Sequence, residues 1–350
     1  MFLPPRSWPA RLLALLGVSL APALALSPPD PPPDRAILSY PALRPDVQPS
    51  AFMPLLFSDS PETPGVSGLL YRDTVTGRAR VLAYHANGLG RPARVLLLAR
   101  NPGSEAAQVT PLRQGSAAVR QPDPLVGQQT LLRYFASGPR PPRTLAAGER
   151  AVLYDSGPLA PGAVMSLLLD LEASAPLELS VLMLAQGERL PDSLADLPAL
   201  PRDGTHQRGT FAGADRTLSV QLPPAPAPVR LVLSGPDDPP IVGTDALTGE
   251  AQQLKGNFGV LYDIRIAGAA GRLLAASPRG GAYRGSLLLE DGPRRSQVLL
   301  GRGRALLDPA APSALWQVRS PELRLLFTPA NGSNLPLALI FYPASANRTP

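Results

Sequence analysis

From Met53 onward the chain alternates apolar runs of four to eight residues with Gly, Pro, Asn and Asp punctuation. Runs of that length, bounded by turn-forming residues, predict β-strands joined by short loops. "GLLYRDTV", "RARVLAYHA", "RVLLLAR", "RAVLYDS", "VMSLLLDLE" and "LELSVLML" read as strands in the first half. "TLSVQL", "VRLVLSG", "FGVLYDIRI", "YRGSLLLED", "ELRLLFTP" and "LPLALIFYP" read as strands in the second. In "LSVQL", Leu218, Val220 and Leu222 alternate with Ser219 and Gln221. Such a strand turns one face to a core and the other to water.

"RVLLLARNPGSEAAQVTPLRQ" predicts a hairpin. Pro102 presets a turn dihedral, and Gly103 takes the positive φ that a type II turn requires. A phosphate-cradling loop would need a helix after the glycine, and Pro111 interrupts one. One short helix is predicted in "DPLVGQQTLLRYFASG". Asp123 caps it, Pro124 occupies its first turn, and Gly138 ends it. We expect it across one end of the first sandwich, with a further helical turn in "LPDSLADLP". The pattern as a whole predicts a mainly β protein of two β-sandwich domains, immunoglobulin-like or jelly-roll-like. Their expected spans are residues 53–200 and 201–350.

The first 52 residues have a different texture. Arg6 and Arg11 precede the apolar run Leu12–Leu20, and Ala23-Leu24-Ala25 supplies a small-x-small cleavage site. This is the pattern of a secretory signal over residues 1–25; the competing reading is an uncleaved N-terminal anchor. The run is shorter than the roughly 20 apolar residues a spanning helix needs, so no transmembrane anchor is expected after cleavage. Residues 26–52 are rich in proline, which resists helix and central strand and predicts an extended spacer. The chain has no cysteine. Disulfides and a lipidated N-terminal cysteine are therefore excluded, although export would permit the former.

The formal charge of +6 is mild for 350 residues. The arginines are dispersed, and no basic–aromatic alternation points to nucleic acid. Lys255 is the only lysine. The densest basic cluster, Arg294, Arg295, Arg302 and Arg304, reads as the charged ends of a hairpin.

Groups that exchange protons or attack are few. The two histidines, His85 and His206, lie far apart in sequence, and neither has the close His partner usual in metal sites. His85, in "LAYHANG", reads as a partly exposed residue at a strand end. "RDGTHQRGTF" gathers Asp203, His206 and Arg208, and we take these three as a candidate recognition loop. The acid pairs Asp237–Asp238 and Glu290–Asp291 are flanked by Pro or Gly, which predicts solvated turns rather than the two carboxylates of a glycosidase. Trp316 alternates with Val318 and is expected to face the core. No catalytic residue, cofactor or metal site is expected.

The stretches "LLFSDSPETPGVSGLLYRDTVTGRARVLAYHANG", "ARNPGSEAAQV", "GQQTLLRYF", "RDGTHQRGTFAGADRTL" and "SPRGGAYRG" resemble a group of uncharacterised secreted bacterial proteins. Some of these carry, or are named after, the copper-amine-oxidase-type stalk domain. The resemblance covers much of Met53 to Glu290. It implies an extracytoplasmic location and a β architecture; the stalk name implies neither copper nor oxidase chemistry, and this chain lacks a His-x-His. The function expected from the sequence is a non-enzymatic role at the cell envelope, with an envelope protein or glycan as partner. The alternatives are polysaccharide binding or processing, and a hydrolase using the Asp203–His206–Arg208 neighbourhood.

Overall fold

The computed structural model describes residues 27–50, 53–194, 197–224, 227–301 and 305–343. The expected signal, residues 1–25, lies outside the described residues, as do Arg302, Arg304 and part of the helical turn expected in "LPDSLADLP". The described chain is mainly β and sandwich-like, with a single α-helix among the described residues.

One ribbon organises the first sheet. β3 (Gly68–Ala86) and β8 (Val164–Ala185) pair antiparallel from end to end. Each merges two of the strands expected from sequence. A straight strand the length of β3 would extend about 60 Å. Yet the six residues 87–92 carry the chain from the end of β3 to β4 (Ala93–Arg100), which pairs with the opposite end of β8. Six residues reach about 20 Å at most, so the ribbon doubles over. The corner is written in both strands. The register slips between Val75 and Gly77, and Ser174, Ala175 and Pro176 fall outside the ladder. Gly77 adopts a φ of 70° there, a conformation that costs glycine little, and Pro176 has no N–H to contribute.

Doubling over lets the sheet cover itself. Val81, Ala83, Leu167 and Leu169 on one limb share a buried cluster with Leu70, Leu179, Val181 and Met183 on the other. Each of the Val, Leu and Met side chains contributes about 1.5–3 kcal/mol by leaving water.

The expected hairpin is corrected by this geometry. β4 pairs with residues 178–185 of β8, and β5 (Ala107–Val119) pairs with residues 164–173. The two strands therefore follow β8 in the same sense, one after the other, and "NPGSE" rounds the corner with the ribbon instead of pairing them as a hairpin. The buried Asn101 amide holds the bend. Its Nδ2 donates to the carbonyls of Glu105, Leu145 and Ala146, and its Oδ1 accepts from Gly103 N. β6 (Arg143–Leu145) and β7 (Arg150–Asp155) line this edge. Along the other edge run β2 (Leu55–Ser58), β9 (Arg208–Phe211), β12 (Ile241–Thr244) and β13 (Ala251–Leu254). Hydrogen bonding thus crosses the division expected at residue 200.

The second sandwich has two sheets. One contains, in order, β1 (Asp46–Ser50), β10 (Asp215–Gln221), β14 (Leu261–Ala267), β19 (Glu322–Phe327), β16 (Gly285–Asp291) and β17 (Arg294–Leu300). The other contains β11 (Val229–Leu233), β20 (Leu337–Tyr342), β15 (Leu273–Pro278) and β18 (Ser313–Gln317). Ile264, Ile266 and Leu325 from the first meet Leu231, Leu274 and Phe341 from the second in one core.

The Pro-rich segment is more than a spacer. Asp30 Oδ1 accepts from Ala314 N, Asp34 N donates to Ala310 O, and Leu43 N donates to Arg230 O. Ile37, in a short 3-10 turn, is 1% exposed. β1 then adds to the edge of the other sheet, antiparallel to β10, with Pro49 tolerated because the strand is an edge. The segment works as a strap across both sheets, held by these backbone contacts and by the buried Ile37.

The helix, α1 (Leu125–Ala136), begins as expected, with Asp123 Oδ1 accepting from Leu125 N at 2.7 Å. Its position differs from the expected end of the first sandwich: it is wedged between the first sheet and the second sandwich. Gln128 Nε2 donates to the carbonyls of Gly285 and Leu300 at 3.0 and 2.9 Å. Close approach depends on missing side chains. A Cβ on Gly127 would lie 2.2 Å from Asn331 O, and one on Gly115 would lie 2.0 Å from Thr130 O.

Arg80 joins these parts. It lies in β3 and is 1% exposed. Nε and Nη2 donate to Asp170 of β8 at 2.7 and 3.2 Å, and Nη1 donates to Asp215 of β10 at 2.6 Å and to Gly259 O at 3.0 Å. Tyr134 of α1 donates to the same Asp170 at 2.6 Å. Burial alone would favour losing the guanidinium proton, but Asp170, Tyr134 and Asp215 outweigh it and hold Arg80 firmly charged.

Two substitutions test this frame. Arg80→Leu strands the Asp170 carboxylate in the interior, and urea unfolding should show a loss of about 3–5 kcal/mol. Gly127→Ala should lower the urea midpoint by the equivalent of about 1–3 kcal/mol through overpacking at the Asn331 turn. An unchanged midpoint would show that α1 is not clamped there.

Candidate functional site

The antiparallel pairing of β2 with β9 sets Ser58 opposite Arg208. The turn after β2 and the loop before β9 therefore lie side by side, and Asp59 N donates to Gln207 O. Asp203 organises both segments. Its Oδ1 accepts from Ser60 Oγ, Thr205 N and His206 N at 3.3, 3.0 and 2.9 Å, and its Oδ2 accepts from Glu62 N at 2.9 Å. Partial burial would raise the Asp203 pKa, but the donors from Glu62, His206 and Thr205 outweigh it and hold the carboxyl well below the usual range.

His206 stands between two acids. Nδ1 is 2.8 Å from Asp203 Oδ2, and Nε2 is 2.9 Å from Glu62 Oε2. All three side chains are about one-third exposed, so solvent reaches them. Asp59 lies alongside with a buried Oδ1 that has no hydrogen-bond partner. Burial first, then repulsion from Glu62 and Asp203, pushes its pKa well up.

The structure thus unites Asp203 and His206 as expected and adds Ser60, Asp59 and Glu62, about 140 positions away in sequence. It parts Arg208 from them. Arg208 is 2% exposed. Its Nε donates to Asp245 Oδ2 at 2.9 Å and its Nη1 to the carbonyls of Leu70 and Leu200 at 3.1 and 2.5 Å. The side chain points inward from β9 and ties that strand to the start of β3, so it is a structural pin and is withdrawn from the recognition loop.

His85 also departs from expectation: it is fully buried, not at a partly exposed end. Nε2 is 3.0 Å from Ser58 Oγ, and Nδ1 is 3.0 Å from Pro61 O. Desolvation lowers its pKa to about 4 against the opposing pull of the Pro61 carbonyl. The neutral ring therefore donates from Nδ1 to Pro61 and accepts from the Ser58 hydroxyl. A serine facing a neutral imidazole is the start of a nucleophile–base pair. Here the third group is a backbone carbonyl, and both Ser58 and His85 are 0% exposed.

Of the acid pairs, Asp237 is an exposed turn residue as expected, whereas Asp238 and Asp291 are structural ties. Asp238 accepts from Arg216, Tyr262 and Asn257, and the 2%-exposed Asp291 accepts from Trp316 Nε1 and Ser320 N. Neither is the solvated turn acid expected, because each satisfies buried donors. Glu290 meets Arg324 and Arg295 on the outer face. A cleft of about 540 Å³ lies beside Arg94, Asp155, Glu188 and Arg189, with Arg94 paired to Asp155 at 3.2 Å. Among the described residues no cluster of His, Asp and Glu has a metal-binding arrangement, and no helix is long and apolar enough to cross a membrane.

The buried neutral His85 sets a pH dependence. Its folded-state pKa lies below the unfolded value, so its contribution is full above about 6.5 and is lost as pH falls toward 4, amounting to ~3 kcal/mol. Urea unfolding between pH 7 and pH 4 should show this decline, and His85→Gln should flatten it. An equal decline in the variant would assign the effect elsewhere.

Comparison with known proteins finds no family model and no curated relative that matches the chain. Among solved structures, the CUB1-EGF-CUB2 domains of rat MASP-1 align over 82% of this chain and 99% of theirs at 11% identity, with a TM-score of 0.19. The PBSX exported protein XepA aligns over 79% of this chain and 86% of its own at 10% identity, with a TM-score of 0.17. Likeness at this level carries no functional argument.

Proposed function

We propose that this chain is an extracytoplasmic, non-catalytic β-sandwich protein that binds another macromolecule of the cell envelope. The observation that carries the reading is the use of its reactive groups as internal ties. His85 and Ser58 are sealed, and both nitrogens of His206 are occupied by carboxylates. The signal-like N-terminus supports the location. The exposed loop pair around Glu62, Asp203 and His206 sits on a rigid scaffold, which is where binding surfaces concentrate.

Aromatic placement favours a protein partner over a glycan. Tyr71, Tyr134, Tyr262 and Tyr283 are each under 2% exposed, so their rings serve cores rather than a sugar-stacking platform. The Ser58–His85 contact favours hydrolysis as the second reading.

The test uses the chain without residues 1–25, immobilised and offered purified cell-wall glycan or solubilised envelope proteins. Saturable retention of a discrete protein that weakens on Glu62→Lys is expected. Retention of glycan alone would shift the reading to sugar binding. Turnover of an ester or glycoside that Ser58→Ala abolishes would overturn it.

A further inference from the structure

We propose that Glu62, His206 and Asp203 form a clasp that closes in acid: the doubly protonated imidazole ties the turn at residues 59–62 to the loop at 203–207, and the tie loosens when the ring loses a proton.

The argument starts from proton count. A carboxylate only accepts hydrogen bonds, and a neutral imidazole has a single N–H. With Asp203 Oδ2 at 2.8 Å from Nδ1 and Glu62 Oε2 at 2.9 Å from Nε2, both contacts are attractive only for the imidazolium. In the neutral ring one lone pair faces an anionic oxygen.

The arm that opens follows from the partners. Asp203 is fixed by four further donors, from Ser60, Glu62, Thr205 and the His206 backbone. The Glu62 carboxylate is held by His206 alone among the described contacts. The remaining proton therefore stays on Nδ1, and Glu62 swings free.

The surrounding groups push the same way or stay silent. Asp59, on the same turn, is held toward its neutral form by burial and by repulsion from Glu62 and Asp203. From β3, Tyr84 is held neutral by burial, and His85 is already neutral above about 4. The neighbouring cation of the loop, Arg202, is engaged with Glu250 and Gln252. Among the described residues no second cation replaces the imidazolium at Glu62.

Amide hydrogen exchange of the whole protein, corrected for intrinsic chemical rates, tests the clasp at pH 5.5 and pH 8.5. Protection over residues 59–63 and 203–207 should fall about two- to fivefold at the higher pH, the range for loss of a partly exposed ion pair. Glu62→Gln should remove the pH dependence, because an amide can either accept from the protonated ring or donate to the neutral one. His206→Gln should give low protection at both values. The buried His85 changes global stability in the opposite sense and cannot imitate the signal. Equal protection of the wild type at both pH values, or an undiminished pH dependence in Glu62→Gln, would overturn the clasp.

Discussion

A single buried guanidinium constrains how the two halves of this protein meet. Arg80 has donors that must be satisfied wherever water is excluded, because an unpaired buried charge costs several kcal/mol. Its acceptors come from β8, β10 and the loop at Gly259, and Tyr134 of α1 completes the group through Asp170. No one sheet supplies them all. The charge is therefore tolerated only when the folded ribbon, the helix and the second sandwich are in mutual register. Hydrophobic burial gives those bodies a reason to associate; Arg80 narrows the ways in which they can.

Much of the β architecture was legible in the alternation of side chains, because the period of a strand depends only on which faces are buried. Partner choice was not. "RVLLLAR" and "AAQVTPLRQ" were identifiable as strands, and "NPGSE" as a bend, yet both strands pair with β8 rather than with each other. The decisive information lies in a remote segment, Ser174-Ala175-Pro176, whose register slip lets the sheet turn back on itself. The helix shows the same division. Asp123 announced its start, but its burial depends on Gly115 and Gly127 meeting groups more than a dozen residues distant.

The candidate site divides along similar lines. Asp203 and His206 are three residues apart, so their contact is local and could be anticipated. Glu62 reaches them only because β2 pairs with β9, and no short motif records that pairing. Arg208 was misplaced because alternation along a strand sends the side chain after a loop inward as readily as outward. His85 was misplaced because "HANG" resembles a turn, whereas its ring is wanted inside to satisfy Ser58 and Pro61.

The strap has a mechanical consequence. Residues 30–50 touch both sheets of the second sandwich before the chain enters the first sheet at β2. Tension arriving from the N-terminal side is therefore met first by the anchors at Ala314, Ala310 and Arg230, and then by the backbone ladder between β1 and β10. Although the first sheet follows the strap directly in sequence, it is shielded from such a load until the far half of the molecule yields.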